Sequence, residues 1–458
     1  MASAEKAESP GPESTRTAPA NGNDTKHPAP LTCLVKGEGS ADDAARTPAE
    51  EKELLLKLDL LLLPSLWMMT LISHLDRSSI ANARIAGMGA DLHLSSSQYS
   101  LVIIAFYLSY IPTAPLCSML VTRTRPSILL PTTMACWGVV TCAQAAVKNS
   151  SQLIVLRLLM GLFETALTPA SIMLLSSWYR PAEQARRAVT YTSSTMLGGA
   201  FGGLLAGAIV QRLDNARGLR GWQWLFIVEG AITIAWAIIC VFLIPDFPEN
   251  SRLLSQRQRE VAIMRMREVG TAGYAGKLPG GRKMGKTKSV VVACSDWRTW
   301  IITAATTSLS CSFVLPYFYP GLVYELGYRS AVTAQYMTVP IWAAALVWSV
   351  GMSILADRMA YSRSLLLSLS AVYAMAMTIA VCSVYGAVQR YVLLTLMGTG
   401  IWSTIPVGTS FSAATLRDMP PEARSIAVAL TGIGAQLGNF YGAYLFPAET
   451  APKLAHCR

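Results

Sequence analysis

Apolar positions in this chain come in long blocks rather than in alternation. Runs of about 18–25 residues, enough to cross about 30 Å of hydrocarbon as a helix, are separated by short polar segments. They predict spans near 58–80, 98–120, 128–147, 152–177, 188–210 and 223–244. After a polar gap come 299–320, 333–355, 364–386, 390–412 and 425–446, eleven in all. The pattern predicts an all-α integral membrane protein. Residues 1–53 read as a disordered cytoplasmic tail, rich in Ala, Pro, Ser, Thr and charge and without the apolar core of a signal peptide. A six-helix half follows over 54–244, then a central loop over 245–296 and a second half over 297–458. The loop begins Pro245-Asp246-Phe247-Pro248, which stops a helix, and its stretch LLSQRQREVAIMRMREVG reads as an amphipathic surface helix.

Charge placement sets the topology. Hydrophobic residues make up 52% of the chain and charged ones 14%, against about 25% charged in soluble domains. The net charge of +11 does not point to nucleic acid, because Lys and Arg collect in short loops between spans, the positive-inside pattern. With a cytoplasmic N-terminus, Arg123 and Arg125, Arg180, Arg186 and Arg187, the central loop, Arg358 and Arg363, and Arg417 and Arg424 all fall inside. The segment 211–221 is an exception, since Arg212, Arg217 and Arg220 fall outside. Asn149-Ser150-Ser151 is an outward sequon in a short loop. The nine cysteines show no metal-ligand spacing and read as apolar fillers. No His-rich cluster, nucleophile motif or phosphate loop appears, so neither an enzyme, a cofactor, a metal site nor ATP-driven transport is expected.

The two halves repeat. LMGLFETALTP at 159–169 matches LMGTGIWSTIP at 396–406, and Arg180 and Arg187 match Arg417 and Arg424, all at one offset of 237. Parallel six-span repeats are a transporter architecture. The same offset puts the counterpart of the sixth span near 460–481, past the last residue at 458, so a twelfth helix is expected to be lacking.

Charges inside spans are costly and mark candidate ion or substrate paths. Arg157 and Glu164 are seven residues, or two turns, apart on one helix face. The repeat makes them Leu394 and Ile401 in the second half. Asp76 and Arg77 of the first span likewise map onto Phe313 and Val314. The buried charges therefore belong to the first half alone. An ion pair fastening the fourth span to a neighbour is the structural alternative, either within the helix or with Asp76 and Arg77. If the first span starts near Leu58, Asp76 lies about 27 Å along it at 1.5 Å per residue, nearer the outer end than the middle unless the helix runs on through Ser78–Ile85. Glu229 reads as a structural hydrogen-bonding residue near the outer end of the sixth span, and His74 as a packed or hydrogen-bonded histidine rather than a proton relay. Gln436 and Asn439 lie one turn apart in the last span, either bonding between helices or facing a cavity, and Tyr317 and Tyr319 are possible lining residues. Gly198, Gly199, Gly202, Gly203 and Gly207 give overlapping small-xxx-small patterns that predict close helix packing.

LDRSSIANARIAG at 75–87, RLLMGLFETALTPA at 157–170, GWQWLFIVEG at 221–230, PDFPEN at 245–250 and GNFYGAYLFP at 438–447 together resemble a major facilitator superfamily transporter. More narrowly, they are similar to the fungal allantoate- and nicotinate-permease-like group of the anion:cation symporter branch. The resemblance implies proton-coupled uptake of a small organic anion, such as a vitamin-like carboxylate or ureido acid, by alternating access. It ties Asp76 and Glu164 to the proton and Arg77 and Arg157 to the anion, and it places an amide such as Asn439, with Gln436 beside it, in the cavity that Tyr319 is expected to line. Gly351, Asp357, Arg358 and Arg363 resemble the superfamily's gating loop; the first-half counterpart VTRTRPS at 121–127 lacks its Gly and Asp. The expected setting is a monomer in the plasma membrane. Export of a secondary metabolite, or a non-transporting sensor or inactive truncated carrier, are the competing readings.

Overall fold

The computed structural model describes residues 47–248, 251–268, 286–328, 330–359, 363–416 and 418–445. The first half comprises α1 (Pro48–Ala83), α2 (Ser96–Arg123), α3 (Pro126–Ala143), α4 (Ser150–Glu164), α5 (Leu167–Trp178), α6 (Pro181–Leu213) and α7 (Gly221–Leu243). Two connecting helices follow, α8 (Gln256–Glu268) and α9 (Lys286–Ser295). The second half holds α10 (Trp297–Ser310), α11 (Tyr319–Glu325), α12 (Ala331–Tyr336), α13 (Thr338–Arg358), α14 (Arg363–Ser383), α15 (Ala387–Thr415) and α16 (Pro421–Leu445). Among the described residues, ten helical stretches are long and apolar enough to cross a membrane. The eleventh expected span corresponds to α16, which has 25 residues.

Three spans depart from the expected continuous helices, each for a local reason. The first is longer. A capping box between Thr47 and Glu50 (3.3 and 2.9 Å) starts α1 at Pro48, so residues 48–53, placed by sequence in the tail, form its first turns. At the other end α1 runs to Ala83, then loosens into a π-turn over Arg84–Met88, where Gly87 adopts φ +111°, a backbone favouring glycine. Asp76 is thus held two turns inside the helix instead of at its end. The fourth span breaks at Thr165-Ala166, directly after Glu164. Pro169, four residues beyond Thr165, has no N–H to continue the ladder there. The seventh span changes at Cys311 into a 3₁₀ turn to Tyr317 and restarts as α11, under Pro316 and Pro320.

The repeat seen in sequence recurs in packing. In the first half α1 lies on α6, α2 on α4, and α3 on α4; in the second, α10 lies on α16, α13 on α15, and α14 on α15. Contacts between halves obey the same symmetry: α6 meets α12 and α13, and α16 meets α2. At one end of the bundle α8 docks on α1. There Arg265, 1% exposed, joins Glu51 (2.7 Å) and Glu183, Arg257 pairs with Glu50 (3.0 Å), and Arg187 grips Asp59 through two bonds of 2.6 Å. We refer to this as the basic end.

Candidate functional site

A cavity of about 600 Å³ lies between the halves. It extends toward the basic end, past Ser412 of α15 and Val428 of α16. At the opposite end the halves meet. All four side-chain hydrogen bonds joining them among the described residues are there or at the cavity's roof. Tyr99 donates to the Tyr317 carbonyl (2.8 Å), Tyr107 meets the Tyr317 hydroxyl (3.3 Å), Gln335 donates to the Asn82 carbonyl (3.2 Å), and Tyr336 donates to Gln211 (3.3 Å).

The glycine pattern of α6 explains how closely this end shuts. A Cβ on Gly199 would meet the Trp342 ring at 2.3 Å, one on Gly203 would meet Thr338 Oγ1 at 2.5 Å, and one on Gly207 would meet the Tyr336 ring at 2.5 Å. These three face the second half. Gly198 instead faces the Leu71 carbonyl of α1 (2.7 Å), and Gly202 faces Ser78 (2.8 Å). The expected close packing is therefore present and divides by face, one side fastening the first half and the other meeting the second.

The charged wall belongs to α1 and α4. Arg77 is the one guanidinium or ammonium group among the described lining residues. Its Nε lies 2.6 Å from Oε1 of Glu164, which is fully buried, and the Ser73 hydroxyl, one turn before Arg77, donates to the same oxygen. The guanidinium also lies over the Phe106 ring at 4.7 Å and 5.5 Å from that of Tyr110. Glu164 thus pairs across to α1, not along its own helix to Arg157.

Arg157 is 3% exposed and does not line the cavity; its Nη1 reaches Met160 Sδ at 3.6 Å, while Nε and Nη2 have no hydrogen-bond acceptor among the described residues. Asp76 is also buried behind the wall. Trp137 Nε1 (3.0 Å) and the Thr233 hydroxyl (2.9 Å) both converge on its Oδ2, leaving Oδ1 open. The hydrogen-bonding role expected for the Glu229 carboxylate is not met. Its two oxygens have no donor in hydrogen-bond geometry among the described residues, and the Ser79 hydroxyl donates to the Asp76 carbonyl instead (2.7 Å).

The opposing wall is aromatic and amide. Phe313, the repeat counterpart of Asp76, stacks on Trp402 with centroids 5.5 Å apart. Gln436 and Asn439 both line the cavity and bond each other (3.2 Å). Tyr319 does not line it: the ring is 1% exposed and packs edge-on to Trp342, and Tyr317 occupies the lining instead. His74 is a lining residue. Of the expected gating loop, Gly351 and Arg358 are exposed, whereas residues 360–362 and the side chains of Asp357 and Arg363 lie outside the described residues. Sequence reasoning missed Ser73, Trp137 and Thr233. Ser73 carried a signal, a hydroxyl four residues before Arg77 on the same helix face.

The family profile described as "Major Facilitator Superfamily" matches residues 66–443. The MFS-type transporter cnsO of Penicillium expansum is 29% identical over 96% of this chain and 87% of its own length. The high-affinity nicotinic acid transporter of Saccharomyces cerevisiae is 32% identical over 66% of this chain and 55% of its own. Among solved structures, a bacterial homologue of the human lysosomal transporter Spinster, inward-facing and occupied, aligns with a TM-score of 0.66 at 15% identity, covering 88% of this chain and 82% of that one. With its paired half-bundles, its multiple membrane-spanning helices and a profile match over most of its length, the chain belongs to the Major Facilitator Superfamily of membrane transporters.

Proposed function

We propose that this protein is a proton-coupled carrier of a small organic anion, working by alternating access. The observation that carries the reading is the bond between Arg77, the sole strong cation among the described residues lining the cavity, and the buried Glu164. A substrate carboxylate and Glu164 compete for one guanidinium. A proton on Glu164 removes its charge and frees Arg77 for the anion; release of the anion returns Arg77 to Glu164, which gives up the proton. Neither half of the exchange leaves a bare charge in a low-dielectric site, which is the costly state. Asp76, with one oxygen held by Trp137 and Thr233, is the second proton-coupling candidate, and Arg157 the second cation. Gln436 and Asn439 offer amide contacts opposite Arg77, and the Phe313–Trp402 stack offers a flat apolar surface.

The basic end faces the cytoplasm in this reading, so the arrangement described is open inward and sealed outward, and transport runs as uptake across the plasma membrane by a monomer. The relative named for nicotinic acid makes nicotinate, a flat monocarboxylate, the first probe. In proteoliposomes with an imposed pH gradient, wild-type protein should accumulate labelled nicotinate or another small carboxylate from a panel. Glu164→Gln should abolish gradient-driven accumulation and retain exchange of label for unlabelled anion. Accumulation unchanged in Glu164→Gln, whichever way the gradient points, removes the coupling claim.

A further inference from the structure

Arg77 has a counterpart two turns further along α1. Arg84 lies seven residues on, about 10 Å along the helix and on the same face. Both arginines lie over aromatic rings of α2, and the register between the antiparallel helices is conserved. Arg77 is over Phe106 (4.7 Å) and Arg84 is over Tyr99 (4.2 Å), the two rings also seven residues apart. The two positions differ in one respect. Arg77 has Glu164, whereas no carboxylate lies within ion-pair distance of Arg84 among the described residues.

Between the two levels sits Tyr317. It roofs the cavity above Arg77, held by Tyr107 and by Tyr99, the ring on which Arg84 rests. Arg84 is half-buried, does not line the cavity, and stands at the start of the π-turn over Arg84–Met88. Such turns mark functional positions more often than ordinary helix does. Arg157, behind the same wall, is buried with two nitrogens lacking acceptors among the described residues. At the same end Arg212 and Arg217 are exposed, while Arg220, the third arginine of the group that broke the positive-inside pattern, pairs with Asp91 (2.7 Å). A cation without a counter-ion, beneath a basic rim and across one tyrosine from the candidate site, has the placement of an anion entry point.

We propose that Arg84 is a carboxylate-binding site on the sealed side of Tyr317, the first guanidinium that a small organic anion meets before passing to Arg77. The anion takes the solvent-facing edge of the guanidinium while Tyr99 holds its face. When the halves part at this end, Tyr317 leaves Tyr99 and Tyr107, and the Arg84 and Arg77 levels become continuous. Arg212 and Arg217 raise the local anion concentration without selecting among anions. This site rests on the anion-carrier reading above.

The test compares half-saturation from the two sides, using labelled nicotinate and the same carboxylate panel in right-side-out and inside-out vesicles. Arg84→Gln should raise the half-saturation concentration from the Arg84 side about tenfold, the worth of one charge-assisted contact, and leave the value from the basic end unchanged. Arg84→Lys, which keeps charge and loses the planar stack, should fall between. Values unaffected on both sides, or raised equally on both as a purely structural role requires, overturn the proposal and leave the carrier reading standing. Wild-type protein that moves none of the panel overturns the carrier reading, and this site falls with it.

Discussion

Gly203→Ala should open the sealed end. The added methyl carbon would lie 2.5 Å from Thr338 Oγ1 and 2.8 Å from the Gln335 carbonyl, against about 3.5–4.0 Å for comfortable contact. The two obstacles are tied to each other, because the Thr338 hydroxyl donates to that same carbonyl (2.7 Å), and Gln335 in turn donates to Asn82. Neither can yield without losing a buried bond. Overpacking of this kind costs about 1–3 kcal/mol, and it is felt only while α6 is pressed against α12 and α13. The cost therefore becomes a shift of about 5- to 150-fold toward arrangements in which those helices have parted. Gly321→Ala is the control, since nothing lies within 4 Å of a Cβ there. Spin labels on cysteines replacing the exposed Asp214 and Glu325, in a background without native cysteines, report the gap across this end by pulsed electron resonance. Gly203→Ala should populate a longer distance and Gly321→Ala should not. A distance distribution unchanged in Gly203→Ala, together with a lower unfolding temperature, would mean that the methyl is accommodated by general loosening, and the gate argument fails.

Two further outcomes follow from the geometry. Arg77→Lys should not restore transport, since an ammonium cannot both lie flat over Phe106 and offer a planar fork; labelled-carboxylate uptake should fall at least as far as the loss of a charge-assisted bond, about tenfold or more, and wild-type uptake in the lysine variant contradicts the assignment. Arg265→Ala should strip Glu51 and Glu183 of a shared, buried partner, costing about 1–3 kcal/mol given that both acids keep some solvent, seen as a lower melting temperature; an unchanged melt would show that α8 contributes nothing to the bundle.

The sequence displayed the architecture more clearly than the site. Span lengths and the constant repeat offset reflect hydrophobic thickness and gene-level duplication, which are written residue by residue. The partners of charges are not. Arg157 and Glu164 share a helix face, yet Glu164 bonds Arg77 because the two-turn spacing along α4 is longer than a side-chain contact, and Ser73 and Arg77 present donors from α1 at its level. The tyrosine assignment fell one position pair away. An α-helix advances about 100° per residue and a 3₁₀ turn about 120°, so the stretch from Cys311 to Tyr317 rotates the lining face, delivering Tyr317 to the cavity and Tyr319 to Trp342. The prolines that cause these changes were visible; the resulting rotation depends on which neighbours satisfy the freed backbone. Asp76 was legible as a buried acid, but its donors come from α3 and α7, helices with no local sequence relation to it.

The unequal walls of the cavity have a consequence for how such a protein diverges. The acids and the guanidinium sit on the first half, the amides and the Phe313–Trp402 stack on the second, and the sealing glycines on α6 of the first half. A substitution at Phe313 or Gln436 reshapes the room for cargo without touching the ion pair, whereas Trp402 also packs on Trp342 (5.0 Å), the ring that Gly199 faces. On the proposed reading, lineages can exchange one nutrient for another through the second half while inheriting engine and door intact, and a laboratory library confined to Phe313 and Gln436 is the short route to a carrier with altered taste.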